Sequence, residues 1–380
     1  MNAITGAFAQ VYETQPEVVG FAPGRVNLIG EHTDYNGGHV FPCALQMGIT
    51  CAAARRTDGQ LRFVSESFCS TGVVAYSLAD LSLRGVWADY PVSVIRALAA
   101  FGYPLAYGAD FYFKSDLPDG AGLSSSAALE VVTGTVLKEL FSLPVTKQEI
   151  ALIGQFAENR FIGVSCGVMD QFASAMGKRG CAILLHAGTL DYEYAPLGPA
   201  ALAVVNSGVK HSLAASAYND RRRECEAACG ALGVSSLCAL TPDAFERKKS
   251  LIADDVCRTR AKHVVYENQR TLDGAAALRR GDLAAFGALM NASHASLRDD
   301  YEVSCAELDF LAETAQRLDG VYGARMTGGG FGGCAVALLE PAAVEAFAAA
   351  VRTAYRERFG VTPAIYPITA ADGAGSERIL

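Results

Sequence analysis

Apolar and polar positions along the chain separate strands from helices before any single residue is considered. EVVGFAPG from Glu17, HVFPCALQMGITCAAARR from His39, LRFVSES from Leu61 and VVAYSL from Val73 are rich in β-branched and apolar residues and predict strands. WADYPVSVIRALAAFGY from Trp87 has helical spacing, with Pro91 in the first turn, where proline is tolerated. ADFYFKSDLPDG from Ala109 predicts a strand ending in a turn. Three helical patterns follow: GAGLSSSAALEVVTGTVLKELF from Gly120, TKQEIALIGQFAENRFIG from Thr146 and GVMDQFASAMGK from Gly167.

The texture changes near residue 180. CAILLHAG, LDYEYAPL and ALAVVNSG predict strands, and a mostly helical stretch runs from about Leu213 to Leu318. VYGARMTGGGFGGCAVALLE reads as two strands joined by a glycine loop; the helix AAVEAFAAAVRTAYRERFG and the strand PAIYPITA follow. No internal repeat or low-complexity linker is present, and the tail ADGAGSERIL carries no assigned role. The pattern predicts an α+β protein of two domains, residues 1–178 and 179–380.

Composition narrows the function classes. A chain of 380 residues is long enough for two domains, and 51% hydrophobic with 19% charged residues is ordinary globular composition. A net charge of −8 argues against a general nucleic-acid binder, although a local positive pocket could hold a small anion. The first residues, MNAITGAFAQVYETQPE, lack the basic start and apolar run of a signal peptide, and no apolar run approaches the roughly 20 residues that span a bilayer. The 11 scattered cysteines read as reduced thiols, and Cys225 and Cys229 have no second ligand pair at metal spacing. The expectation is a cytoplasmic protein without a membrane or nucleic-acid partner.

Three loops concentrate chemistry. In GRVNLIGEHTDYNGG, residues 24–38, Glu31 and Asp34 can accept hydrogen bonds from vicinal hydroxyls and His32 can donate or accept. Arg25 is a fixed cation able to face a phosphate or a developing alkoxide. In LPDGAGLSSSAALE, residues 117–130, Gly120 and Gly122 permit a tight turn before Ser124, Ser125 and Ser126 open a helix. Unpaired N–H groups at such a helix start bind phosphate, and the serines could cap the helix, bond phosphate or ligate Mg²⁺. No Walker A pattern is present. Gly328, Gly330 and Gly333 match G-x-G-x-x-G, but a strand-like segment follows where a dinucleotide fold needs a helix. Finally, AENRFIGVSCGVMDQ sets Glu158 and Asp170 in apolar surroundings, where a carboxylate is costly unless it has a partner or a task.

Taken together, these stretches resemble the galactokinase family of the GHMP kinase superfamily. The loop at residues 24–38 resembles the galactokinase signature, residues 117–130 the phosphate loop and MTGGGFGG the third motif; CGVMDQ, SAYNDRRREC and SHASLRDDYEVS are also similar. The resemblance runs from about Val19 to Ile368. It implies a two-domain GHMP kinase fold with mixed sheets, helices and an active site in the inter-domain cleft. It also implies ATP-dependent phosphorylation of the C1 hydroxyl of α-D-galactose, the first committed step of galactose catabolism in the Leloir pathway. By position, Arg25 and Asp170 are implied as catalytic, with Glu31, His32, Asp34, Gly167 and Tyr218 lining the sugar site. Gly120, Ala121, Gly122, Leu123, Ser124, Ser125 and Ser126 would wrap the triphosphate, and Trp87 would lie near the adenine. Ser125 or Ser126, with Glu158, would hold Mg²⁺. Galactose and ATP are the expected partners of a monomer. Two other readings follow from the same motifs: a kinase for another sugar such as N-acetylgalactosamine, or a non-catalytic galactose and ATP sensor.

Overall fold

The computed structural model describes residues 2–118, 120–209 and 214–379. The chain begins with α1 (Asn2–Tyr12), β1 (Val18–Asn27), β2 (His39–Val40), β3 (Pro42–Arg55), β4 (Gln60–Ser65) and β5 (Val74–Ser77). It continues through α2 (Asp89–Ala100), β6 (Ala109–Ser115), α3 (Ser125–Phe141), α4 (Lys147–Ala157) and α5 (Met169–Met176). Strands β7 (Cys181–His186), β8 (Tyr192–Pro196) and β9 (Ala201–Asn206) lead to α6 (Ala214–Leu232), α7 (Pro242–Lys248), α8 (Asp255–Arg279), α9 (Leu283–Asp299) and α10 (Ala306–Gln316). The last elements are β10 (Val321–Thr327), β11 (Cys334–Leu339), α11 (Val344–Phe359), β12 (Ala364–Ile368) and β13 (Gly375–Arg378). Leu213, where the helical stretch was expected to start, lies outside the described residues.

The α+β class with mixed sheets expected from the pattern is what the structure shows. A six-stranded sheet is ordered β13-β1-β3-β6-β4-β5, a four-stranded sheet β10-β11-β9-β12 and a three-stranded sheet β2-β7-β8. Within the largest sheet β4 and β6 run parallel, and the other neighbours are antiparallel. Helix α3 is apolar nearly all round because it lies between the sheet and other helices; Ala127, Ala128, Val131, Val132 and Val136 have no exposed surface. It packs on β1 and β3 from one side and on α2, α4 and α5 from others. Gly20 of β1 permits this approach, since a side-chain carbon there would overlap Val136. Local signals set helix starts: Thr146 and Glu149 form a capping box on α4, and Asp282 caps α9 by accepting from the Ala285 N–H at 3.0 Å.

The tail is the main departure from the sequence reading. Residues of ADGAGSERIL form β13, which pairs with β1 from Val18 opposite Arg378 to Phe21 opposite Gly375. All four β13 residues are exposed, so no apolar alternation marked the strand. The chain's end thus completes the sheet begun by its start. Pairing also runs across residue 178, because β7 lies beside β2.

Candidate active site

Arg25, near the end of β1, is the hinge of the site. Its Nε and Nη2 donate to the two carboxylate oxygens of Asp170 at 2.7 and 2.8 Å, and its Nη1 donates to the Gly122 carbonyl at 2.8 Å. Its backbone N–H donates to the Leu123 carbonyl at 3.2 Å. Burial would lower the guanidinium's pKa, but Asp170 and Glu31 raise it, so the cation is secure. Asp170 opens α5, and its setting is not the apolar one expected: it sits in a bidentate ion pair with Arg25 and accepts from the Ser124 hydroxyl. Ser124 therefore does not act as a plain helix cap. It stands just before α3 with a left-handed backbone, φ +61°, and makes no side-chain cap bond.

Two adjoining cavities share Arg25 and Asp170. One, about 180 Å³, is lined by Glu31, His32, Asp34, Glu158, Gly167, Tyr218, Gly328 and others. The second, about 260 Å³, is lined by every residue from Gly120 to Ser126. The candidate sugar and phosphate residues are thus brought into one cleft between elements of the first half and the Tyr218 and Gly328 segments of the second. Trp87 is not in it. It lines a separate 590 Å³ cavity with Leu83, Tyr90 and Phe161, stacked on Phe68 at 5.8 Å.

Within the smaller cavity the carboxylates differ in their environment. Glu31 accepts from Asn27 Nδ2 at 2.9 Å and from the Gly328 N–H at 2.7 Å, and it faces Arg325 Nη2 at 3.3 Å. Asp34 forms no ion pair among the described residues; burial first, then Asp170 and Glu31, push its carboxyl up to about 7 against the opposing pull of the Tyr35 N–H and Arg25. Gly167 abuts Asp34 so closely that a side-chain carbon would overlap the carboxylate. His32 is buried and pushed down to about 3, so its imidazole is neutral. The loop itself is pinned from below by Glu267 of α8, which accepts from the Gly30 N–H at 2.9 Å. Burial would push Glu267 up, yet Arg270, His263 and Arg325 draw it down to about 2.

Glu158, which lines the smaller cavity, begins a π-helical turn that follows α4. Its carboxyl is raised by burial and then by Asp170, and hydrogen bonds from Cys166, Ser126 and Gln171 partly offset this. Gln171 Nε2 donates to Glu158 at 2.8 Å and to the buried Glu130 at 2.9 Å. Among the described residues no group of three or more His, Cys, Asp or Glu side chains could hold a metal ion alone. Glu158 lines the smaller cavity and is hydrogen-bonded by Ser126 of the larger one, so the carboxylate and the serine hydroxyls together offer the oxygen donors that a hard cation with few protein ligands takes. The glycines of residues 328–333 join β10 to β11, so a strand follows them and the dinucleotide match is empty.

Sequence reasoning missed Arg325, Thr327, Glu130, Gln171 and Glu267. Several of their partners are distant in sequence, 41 positions between Glu130 and Gln171, 237 between Gly30 and Glu267 and 296 between Glu31 and Thr327, so nothing local marked those contacts.

The galactokinase galactose-binding signature matches residues 6–55, the GHMP kinase N-terminal domain residues 89–178 and the GHMP kinase C-terminal domain residues 275–357. Galactokinase from Ligilactobacillus salivarius is 46% identical over 380 residues, 98% of this chain and 98% of that protein. The chain belongs to the galactokinase family. Bacillus subtilis galactokinase is 45% identical, covering 98% of this chain and 97% of its own length. The crystal structure of Lactococcus lactis galactokinase complexed with galactose superposes with a TM-score of 0.96 at 42% identity, over 98% of both chains. Methanococcus jannaschii mevalonate kinase shares the fold alone, with a TM-score of 0.68 at 15% identity. The galactokinase signature takes in β1 to β3 and hence Arg25, Glu31, His32 and Asp34, and the GHMP N-terminal match takes in the phosphate loop, Glu158 and Asp170.

Proposed function

We propose that the cleft transfers the γ-phosphoryl group of ATP to the C1 hydroxyl of α-D-galactose, yielding galactose 1-phosphate and ADP. The observation that carries this reading is the Arg25–Asp170 pair, which lines both cavities and so stands where sugar and triphosphate meet. Glu31, His32, Asp34, Gly167 and Tyr218 hold the hexose. Residues Gly120 to Ser126 cradle the phosphates with backbone N–H groups and the start of α3, and Trp87 contributes to the adenine pocket.

Phosphoryl transfer has a loose transition state, so positioning and charge stabilisation dominate. Asp170 accepts a hydrogen bond from the C1 hydroxyl. Arg25 holds this carboxylate in place, and the hydroxyl proton passes to it as the new oxygen–phosphorus bond forms and the bond to the departing ADP oxygen breaks. Arg25 meanwhile stabilises the negative charge on the sugar oxygen and the moving phosphoryl group. Ser125 or Ser126, with Glu158, would hold Mg²⁺, which neutralises phosphate charge when bound.

Each group invoked comes from one chain, which suits a monomer. Eleven cysteines, none in a disulfide, suit a reducing cytoplasm. Residues 1–178 and 179–380 serve as the two domains, with β13 returning to the first. An intact SSSAA run and both carboxylates disfavour a non-catalytic sensor. A coupled ADP-release assay with galactose, glucose and N-acetylgalactosamine tests the reading. The expected result is the highest kcat/KM with galactose; no ADP release at saturating galactose, or a clear preference for another sugar, would overturn it.

A further inference from the structure

His32 has features that sugar contact alone does not explain. Its backbone is left-handed, φ +65°, unusual for a residue with a side chain, so the fold holds the ring in place at some conformational cost. The ring lines the smaller cavity, and its Nε2 has no hydrogen-bond partner among the described residues. Its other nitrogen is engaged: Nδ1 lies 2.9 Å from the Tyr35 hydroxyl, which lies 2.8 Å from the Tyr301 hydroxyl, itself 3.2 Å from the Cys225 sulfur. This buried file runs from the cavity wall to helix α6. Phenol hydroxyls are good donors, a neutral imidazole nitrogen is a good acceptor and sulfur is a poor one. The strong polarity therefore runs from Cys225 S–H to Tyr301, from Tyr301 to Tyr35 and from Tyr35 to His32 Nδ1. The opposite polarity would end a buried phenol O–H on sulfur.

We propose that Tyr35 and Tyr301 are positioning residues that lock His32 in the Nε2–H tautomer, so that it can only donate to a sugar oxygen. The inference rests on the reading of this cavity as the sugar site. A neutral ring with one nitrogen filled from behind presents a single donor, and the substrate must offer an acceptor opposite it. Hydroxyl and fluoro substituents satisfy that requirement in decreasing measure, and a deoxy sugar leaves a buried N–H unpaired.

Nitrogen-15 NMR of the histidine rings in the ligand-free protein reads the tautomer without turnover. The wild type should show His32 protonated at Nε2. Tyr35→Phe should convert the ring to a mixture or to the Nδ1–H form, and should raise the galactose KM roughly tenfold to a hundredfold with kcat and the ATP KM nearly unchanged. Cys225→Ala, at the donor end of the file, should leave the tautomer in place. A wild-type ring protonated at Nδ1 overturns the proposal, as does a Tyr35→Phe variant whose tautomer and sugar KM match the wild type. A changed tautomer with an unchanged sugar KM also overturns it. Failure of the kinase reading is seen separately, as absence of ADP release from a wild type whose tautomer is as expected.

Discussion

Arg25 and Asp170 are 145 positions apart in sequence, yet they meet through two parallel hydrogen bonds of 2.7 and 2.8 Å. The guanidinium is almost wholly buried, whereas the carboxylate keeps 30% of its side chain exposed toward the cavities. That asymmetry places the accessible face of the pair on the carboxylate, where a hydroxyl can reach it. It also makes the arginine depend on the aspartate for its counter-charge.

Asp170→Asn should lower kcat by about 10²- to 10⁴-fold, the usual contribution of a proton acceptor, while moving the ATP KM little. Loss of Arg25's counter-charge should cost stability as well, by about 1–3 kcal/mol given the partial exposure of the pair. Steady-state kinetics beside urea unfolding separates the two effects. A variant with near-normal kcat would remove Asp170 from the chemistry.

Asp34 links pH to both binding and stability. Its carboxyl titrates near 7 in the folded protein, against about 3.9 in an unfolded chain. Between those values the native state holds a proton that the unfolded state has released, so this group's contribution to stability falls as pH rises, and the penalty is complete above about pH 7. Asp34→Asn should therefore melt higher than wild type at pH 8, by up to about 4 kcal/mol in stability, with the gap closing toward pH 4. Sugar binding moves the other way. The ionised carboxylate is the better acceptor of hydroxyl protons, so the galactose KM should rise up to about tenfold per unit as pH drops below 7. A KM that stays flat between about pH 6 and 8 would count against this role.

Gly167→Ala places a methyl group on the Asp34 carboxylate. Overpacking of this kind costs about 1–3 kcal/mol, which predicts a rise of roughly 5- to 150-fold in the galactose KM. The ATP KM should hold, because Gly167 lines the smaller cavity and not the one around Gly120 to Ser126. Equal loss of affinity for both substrates would point to general unfolding instead.

Arg325 has no exposed surface and lies beside Glu31 at 3.3 Å. Arg325→Met should destabilise the protein by about 3–5 kcal/mol, since it strands a buried carboxylate. Adding Glu31→Gln should recover part of that loss while abolishing tight sugar binding, and the coupling can be measured by a double-mutant cycle in urea. Simple additivity of the two changes would show that they do not act as a pair.

The sequence by itself determined the elements with strong periodicity, the α+β class and the short polar loops that carry the sugar and phosphate residues. Those are local properties: side-chain periodicity, glycine turns and clusters of hydrogen-bonding groups are readable within a dozen positions. Only the tertiary structure decided which of those groups face one another. Ser124 looked like a helix cap, but through-space proximity to Asp170 gave its hydroxyl a stronger, charged acceptor. Glu31 owes its charge balance to Arg325, and the polar, exposed β13 became a strand because β1 offered an unpaired edge. Contacts between distant positions leave no periodic trace, because they depend on how whole elements pack rather than on the residues beside them.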